Sequence, residues 1–131
     1  ESEISYAGAR AGARALLAAQ VVRERLGSEA PIRVDLIGVN SIFGDDANEW
    51  LSTATAEQLD AMRAARDVRL RLSWQREERS DALRLTREVN ALYCCGPAGG
   101  GGVRSGIRAR LGTVSCFVPR DAVTPRFELV D

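Results

Sequence analysis

The residues that most clearly suggest chemistry are four consecutive glycines at positions 99–102, closely followed by Arg104 and Ser105. A glycine run is costly in backbone entropy, so it indicates positive φ angles or a ligand held against main-chain N–H groups. Arg104 can add a bidentate grip on phosphate or carboxylate. The alternative is a flexible loop between a helix and a strand. On the first interpretation, the candidate ligand-binding residues are Gly99, Gly100, Gly101, Gly102, Arg104 and Ser105.

A polar turn at residues 40–46 is the second candidate. Carboxylates beside amide and hydroxyl groups can position water or handle a proton, which makes Asp45 and Asn40 candidate catalytic residues and Ser41 a candidate ligand-binding residue. The alternative is that Asp45 and Asp46 only cap the helix that follows. The chain contains no His, so most zinc ligand sets and the common catalytic triads are excluded, and we assign no metal ligands.

Two further features have weaker chemical signals. Gly8 precedes an alanine-rich segment, and free N–H groups at a helix N-terminus attract anions, so Gly8 is also a candidate ligand-binding residue. Cys94 and Cys95 can supply a thiolate nucleophile, although the activating base would have to come from outside this His-free chain. The alternative is that both cysteines are structural.

The composition restricts the classes of partner. The 18 basic and 18 acidic residues give a net charge of zero, which favours neither nucleic acid nor an anionic membrane. Three cysteines in no paired framework indicate a reducing compartment, and the chain lacks an apolar run long enough to span a bilayer, so we expect a cytoplasmic protein. The length fits one domain, and the first residue, Glu1, suggests a processed chain or a piece of a longer one.

Period-two alternation predicts the strands that position these residues. The strands are expected at residues 4–6, 32–39 and 68–75, followed by a hairpin of residues 103–111 and 113–118 that turns at Gly112. On these strands Arg33, Arg69, Arg71, Arg108 and Arg110 share the polar phase, which predicts an arginine-rich sheet face. That face lacks the stacking aromatics of an RNA-binding sheet, so we expect it to be solvated or docked on another domain.

Helices are predicted at residues 9–26 and 80–93, with a helical excursion inside residues 41–65 where Thr55 and Gln58 form a capping box. The resulting βαββαβ order is typical of an α+β, ferredoxin-like two-layer sandwich, here with the excursion after the second strand and a C-terminal β-hairpin. Right-handed crossovers then bring residues 6–9, 38–46 and 94–104 to one end of the sheet.

The same segments carry a family resemblance. They are Tyr6-Ala7-Gly8 before the alanine-rich helix and residues 35–41 (DLIGVNS), 88–93 (EVNALY), 96–104 (GPAGGGGVR) and 118–121 (VPRD). Together they resemble the C-terminal part of proteins of the acyclic terpene utilisation (AtuA) family, with the glycine-rich signature as the most specific element. The resemblance covers nearly the whole chain.

The resemblance implies a role in the catabolism of acyclic terpenes and related branched acids through coenzyme A thioesters, with a hydratase or lyase as the implied reaction class. It also implies a larger N-terminal AtuA-type domain or subunit as partner, and we expect a homo-oligomer. Cys94 and Cys95 stand where the family pattern has Thr-Asn. The sequence leaves two hypotheses open, a contribution to an acyl-CoA hydratase or lyase site and a noncatalytic docking or oligomerisation module. It implies no cofactor beyond the thioester as substrate.

Overall fold

The computed structural model describes residues 1–42, 44, 47–111 and 113–130 of the chain. In chain order the elements are β1 (Ser2–Ala7), α1 (Ala11–Leu26), β2 (Ile32–Ile37), α2 (Trp50–Thr53), α3 (Ala56–Ala64), β3 (Asp67–Trp74), α4 (Arg79–Cys95), β4 (Gly100–Ser105) and a 3-10 turn (Arg120–Ala122). The predicted capping box at the start of α3 is present, because the Thr55 hydroxyl accepts the Gln58 N–H and the Gln58 side chain accepts the Thr55 N–H.

The four described strands form one sheet in the order β2-β3-β1-β4, and all neighbours are antiparallel. Leu70 of β3 lies opposite both Ile4 of β1 and Leu36 of β2, so apolar side chains line up across the sheet on one face. The mixed α+β class is therefore confirmed, and so is the helical excursion after the second strand.

Helices α1 and α4 cover the apolar face of the sheet. In α1 the buried positions are mostly alanines, including Ala15, Ala18 and Ala19, whose small side chains let the helix approach the strands closely. In α4 the buried positions are Leu85 and Val89 together with Leu92, at the spacing of one helix face. The core lies between these two helices and the sheet.

The opposite face of the sheet is polar and carries a buried carboxylate. Asp35 is 1% exposed, and its two oxygens accept bonds from Arg33 Nε at 3.1 Å and Arg71 Nε at 3.0 Å. Arg69 pairs with Glu3 on the same face. A buried charge needs a partner, so these arginines compensate the charge of the carboxylates on this face in addition to contacting solvent. The arginine-rich face is confirmed for Arg33, Arg69 and Arg71.

Asn48 closes the outer edge of β2. Its side chain accepts the Val34 N–H at 2.7 Å and donates to the Ile32 carbonyl at 2.6 Å, as a neighbouring strand would. Asn48 is 5% exposed and has a left-handed φ of 59°, a conformation that Asn tolerates better than most residues. The segment between β2 and α2 is thereby held against the sheet edge.

The predicted C-terminal hairpin is wrong beyond Ser105. Residues 103–105 of its first predicted strand do belong to β4, but the strand ends there. Within residues 106–111 and 113–130 the structure has no strand, and Gly112, the predicted turn, lies outside the described residues. The last hydrogen bonds of this segment to the sheet are the pair of backbone bonds between Gly106 and Glu1. Residues 107–111 alternate as a strand does, but Ser105 already lies opposite Ser2, where β1 begins, so these residues extend past the neighbouring strand and have no pairing partner there. Arg108 and Arg110 consequently do not lie on the sheet face. No described helix is long and apolar enough to cross a membrane.

Candidate functional site

Four strand ends lie along one rim of the sheet. Gly8, just after β1, donates its N–H to the Arg66 carbonyl before β3 at 2.6 Å, and Gly38, after β2, packs on the Asp67 backbone. Residue 100, where β4 begins, lies opposite Tyr6 of β1. The predicted segments thus share a rim, but β3 and β1 separate β2 from β4. At about 4.8 Å per strand, the two outer segments are about 14 Å apart.

Arg14 of α1 joins two of these segments. Its guanidinium donates to the Ala98 carbonyl at 2.6 Å, to the Ala7 carbonyl at 2.6 Å and to the Ala9 carbonyl at 3.0 Å, and it lies over the ring of Tyr6. The planar guanidinium can bond several acceptors at once, which an ammonium group does less well. The end of β1, the start of α1 and the turn before β4 are therefore held together by one side chain.

The glycine run is largely explained by the fold. Gly99 and Gly102 have φ angles of 78° and 62°, which favour glycine. A Cβ on Gly100 would lie 2.8 Å from Ile4 Cδ1, so close packing on β1 requires glycine there as well. Gly102 lies where the register with β1 shifts by one residue, which identifies a β-bulge. Only Gly101 has neither a positive φ nor a neighbour within 4 Å of an added Cβ.

Arg104 and Ser105 do not lie beside the start of β4. At about 3.3 Å per residue along the strand, Arg104 is about 13 Å from Gly100. It lies opposite Glu3 of β1 and is exposed, while the Ser105 hydroxyl bonds the buried Ser2 hydroxyl. These two predicted ligand-binding residues therefore belong to the other end of the sheet.

The turn after β2 folds back along the polar face. The carbonyls of Ser41 and Gly44 accept bonds from Arg33, and Asn40 pairs with Leu36 through its backbone. Asn40 is 8% exposed, and its amide nitrogen has no hydrogen-bond partner among the described residues. Asp45, the other predicted catalytic residue, lies outside the described residues. Among the described residues no group of three or more His, Cys, Asp or Glu could hold a metal ion.

A shallow groove of about 210 Å³ opens on the same rim, between the start of α1 and α3. Ala13, Leu59 and Met62 give it an apolar floor, and two guanidinium groups, those of Arg10 and Arg63, flank it. Arg63 also pairs with Asp60 at the surface. The groove thus combines an apolar surface with positive charge.

The first turn of α1 reaches this groove through Ala13, while Ala11 and Gly12 are buried. No described side chain caps this N-terminus, and residues 11–14 include no acid. The leading N–H groups of a helix have no intrahelical partner and carry partial positive charge. Arg10, the N-cap, has the left-handed angles φ 58° and ψ 31°, a strained conformation that clusters at binding sites when it occurs in non-glycine residues. This arrangement favours an anion.

The two adjacent cysteines lie at the exposed end of α4. Arg25 Nη1 lies 3.4 Å from the Cys95 sulfur and 3.0 Å from Glu88 Oε2. These two groups, the Cys95 sulfur first, raise the pKa of Arg25. The cysteines are neither buried nor at the groove.

Tyr6 also has a perturbed pKa. It is fully buried, and its hydroxyl has no hydrogen-bond partner in the described part of the chain. Burial raises its pKa, because the phenolate would lose its hydration, and the nearby Arg14 opposes this shift. Tyr6 is therefore a neutral core residue at ordinary pH.

Sequence reasoning missed Arg10, Arg14 and Arg63. A signal for the first was available, since residues 9–14 read Ala-Arg-Ala-Gly-Ala-Arg and include neither an N-cap residue nor an acid. A helix start with only positive charge favours an anionic ligand. No signal pointed to Arg63, because its place beside Arg10 depends on how α3 packs on α1.

The structure thus has a mixed α+β fold with a groove lined by Arg10 and Arg63 on one rim of its sheet. The family model described as "acyclic terpene utilisation family protein AtuA" matches residues 1–129. The chain therefore belongs to the AtuA family, as the sequence resemblance indicated. No significant match was found among curated proteins or solved structures.

Proposed function

We propose that this domain binds the anionic part of a branched acyl-CoA thioester for an acyclic-terpene-utilisation protein. The observation that carries the proposal is the uncapped start of α1, flanked by Arg10 and Arg63 above the apolar floor of Leu59 and Met62. Guanidinium groups and helix N-terminal amides both stabilise phosphate, carboxylate and thioester oxygen. The apolar floor suits a branched hydrocarbon next to that anion.

In this proposal the domain binds its ligand and another part of the protein performs proton transfer. The five groove-lining residues contain no carboxylate, thiol or phenol that could act as a general acid or base. The groove of about 210 Å³ is also smaller than the roughly 300–1,000 Å³ of a complete small-molecule site. We propose that an N-terminal AtuA-type domain or subunit completes the site and supplies the hydratase or lyase chemistry.

The earlier candidate residues have a smaller part in this proposal. Gly8 uses its N–H on Arg66, and Arg104 lies about one strand length from the turn before β4. The unpartnered amide nitrogen of Asn40 keeps that residue as a catalytic hypothesis for the other end of the rim. Asp45 remains a hypothesis of the same kind.

We also propose that the domain is a ferredoxin-like sandwich and corresponds to the C-terminal part of AtuA-type proteins. The order β2-β3-β1-β4 supports the split βαβ arrangement, because β3 lies between β1 and β2, which the α1 crossover connects. Cover by α1 and α4 on a single face supports the two-layer description.

The test is ligand binding by the full chain, with coenzyme A and a branched acyl-CoA thioester as probes. Calorimetry should detect binding that weakens at least tenfold in Arg10→Ala and in Arg63→Ala, since each variant loses one charge-assisted contact. Arg87→Ala is the matched control, because Arg87 is exposed on α4 away from the groove. It should bind as the unmodified chain does.

Arg10→Gly separates binding from folding. Glycine relieves the left-handed strain at this position, which should make the chain about 1 kcal/mol more stable, while the lost guanidinium weakens binding. An Arg10→Gly variant with unchanged affinity would contradict the proposal. So would weakening in Arg104→Ala alone, which would place the ligand at the other end of the sheet.

A further inference from the structure

The C-terminal segment, residues 106–130 without Gly112, exposes many large apolar side chains. Their exposed fractions run from 47% to 106%, and they are Leu111, Val114, Phe117, Val118, Val123, Phe127, Leu129 and Val130. Within residues 107–111 and 113–130 the hydrogen bonds are those of the local turn at Arg120–Ala122. A disordered tail is usually poor in such residues, so this composition indicates a segment that packs against something.

The apolar area is of the size that a stable dimer needs. Burying a large aliphatic or aromatic side chain removes roughly 60–120 Å² of apolar surface from water. Eight such side chains therefore offer roughly 500–1,000 Å² per chain, and two chains in a symmetric pair offer twice that. Specific protein interfaces bury about 1,600 Å² in total.

The two edges of the sheet differ in a way that indicates where the segment docks. Asn48 occupies the outer edge of β2. In the described part of the chain no strand lies beyond β4, the other edge. The C-terminal segment leaves the sheet from β4, and residues 107–111 (IRARL) alternate apolar and basic side chains as a strand does.

We propose that the C-terminal segment docks on a second copy of this chain and extends its sheet beyond β4. A twofold arrangement satisfies both partners at once, because each copy receives the other's apolar segment beside a β4 edge that has no further strand among the described residues. The Val103 N–H on β4 donates to the Tyr93 hydroxyl at 3.0 Å, so an incoming strand replaces that bond. The net charge of zero removes long-range repulsion between the copies. Docking of this kind does not depend on ligand binding at the groove.

The test is the molar mass of the full chain by light scattering over a range of concentrations. The mass should rise from that of one chain towards twice that value. Replacing Leu111, Phe117 and Phe127 by Ser together should hold the chain at the monomer mass. Ile42→Ser is the matched control, because Ile42 is 89% exposed but lies outside the segment, and it should still dimerise.

Thiol reactivity reports the location of the interface in the same samples. Cys94, Cys95 and Cys116 are all exposed in the single chain, and only Cys116 belongs to the C-terminal segment. Its reaction with a disulfide reagent should slow in proportion to the dimeric fraction, while Cys94 and Cys95 react at a constant rate. A monomer at every concentration overturns the proposal, as does a dimer that survives the triple substitution or leaves Cys116 fully reactive.

Discussion

Single glycine-to-alanine substitutions at positions 99–102 test whether the glycine run serves the fold. The structure predicts a different effect at each of four adjacent positions. Gly101 has an ordinary φ and open space around an added Cβ, so Gly101→Ala should stabilise the chain by about 0.4–1 kcal/mol by reducing the entropy of the unfolded state. Gly102→Ala should destabilise it by about 1–2 kcal/mol, because φ is 62° there.

The other two positions add steric conflict. At Gly100 a Cβ would lie 2.8 Å from Ile4 Cδ1 and 3.2 Å from Tyr6 Cε1, so Gly100→Ala should destabilise by about 1–3 kcal/mol through overpacking. At Gly99 the φ of 78° combines with a Cβ only 2.6 Å from Arg14 Nη1. In Gly99→Ala the backbone strain and the displacement of the Arg14 guanidinium from its hydrogen bond should together lower the free energy of unfolding by about 2–4 kcal/mol.

Urea unfolding followed by circular dichroism measures these differences as changes in midpoint at constant slope. Gly106→Ala is the control outside the run, because Gly106 also has an ordinary φ and open space around its Cβ. Equal small effects at all four positions would refute the structural explanation and would favour the alternative interpretation of the glycine run as a flexible loop. Destabilisation at Gly101 greater than at Gly99 would refute it as well.

Three further substitutions test the contacts that organise the fold. Tyr6→Phe removes a buried, unpartnered hydroxyl and should stabilise by about 1 kcal/mol at neutral pH. The folded-state pKa of Tyr6 is raised above 10.0, so above pH 10 the unfolded chain loses this proton more readily than the folded chain. The free energy of unfolding is therefore unaffected by this ionisation below pH 10 and falls as the pH rises towards the folded-state pKa. Urea titrations should show a smaller alkaline loss in Tyr6→Phe. Asn48→Ala leaves two strand-edge groups without their partner and should lower the unfolding free energy by about 2–3 kcal/mol, whereas Asn90→Ala on the exposed side of α4 should not; equal midpoints for the two would contradict the edge role. In Arg14→Lys a single ammonium nitrogen cannot occupy the positions of both Nη1, which bonds Ala98, and Nη2, which bonds Ala7 and Ala9, so the variant should be less stable by about 1–3 kcal/mol in the same assay. Arg87→Lys is the neutral control, and an unchanged Arg14→Lys midpoint would show that these bonds do not hold the segments together.

Local periodicity predicted the elements that lie against a core. The alternation of Val68, Leu70 and Leu72 identified β3, and the helical spacing of Leu85 and Val89 identified α4. Both patterns persist in the structure because these side chains face one continuous apolar interior. The capping box of α3 was also predictable, since its bonds connect residues only three apart.

The same reasoning failed where a partner surface decides the outcome. Residues 107–111 alternate like a strand, yet in this chain they find no edge to pair with. An arginine on a helix is usually solvated, but the turn before β4 places the Ala98 carbonyl within hydrogen-bond distance of Arg14, although the two residues are 84 positions apart in the sequence. Sequence patterns report which face of an element is apolar and do not report which polar atoms meet across the fold.

The most direct test of the proposed function is the methyl resonance of Met62 during titration with a branched acyl-CoA thioester. Met62 is the chain's only methionine and is one of the residues that line the groove, so its methyl resonance is assigned without ambiguity and lies next to the proposed ligand. We predict that it shifts on titration together with the amides of Ala11 and Ala13, and that Arg10→Gly abolishes these shifts. A resonance that stays in place while the amides of Gly101 or Arg104 respond would contradict the proposal.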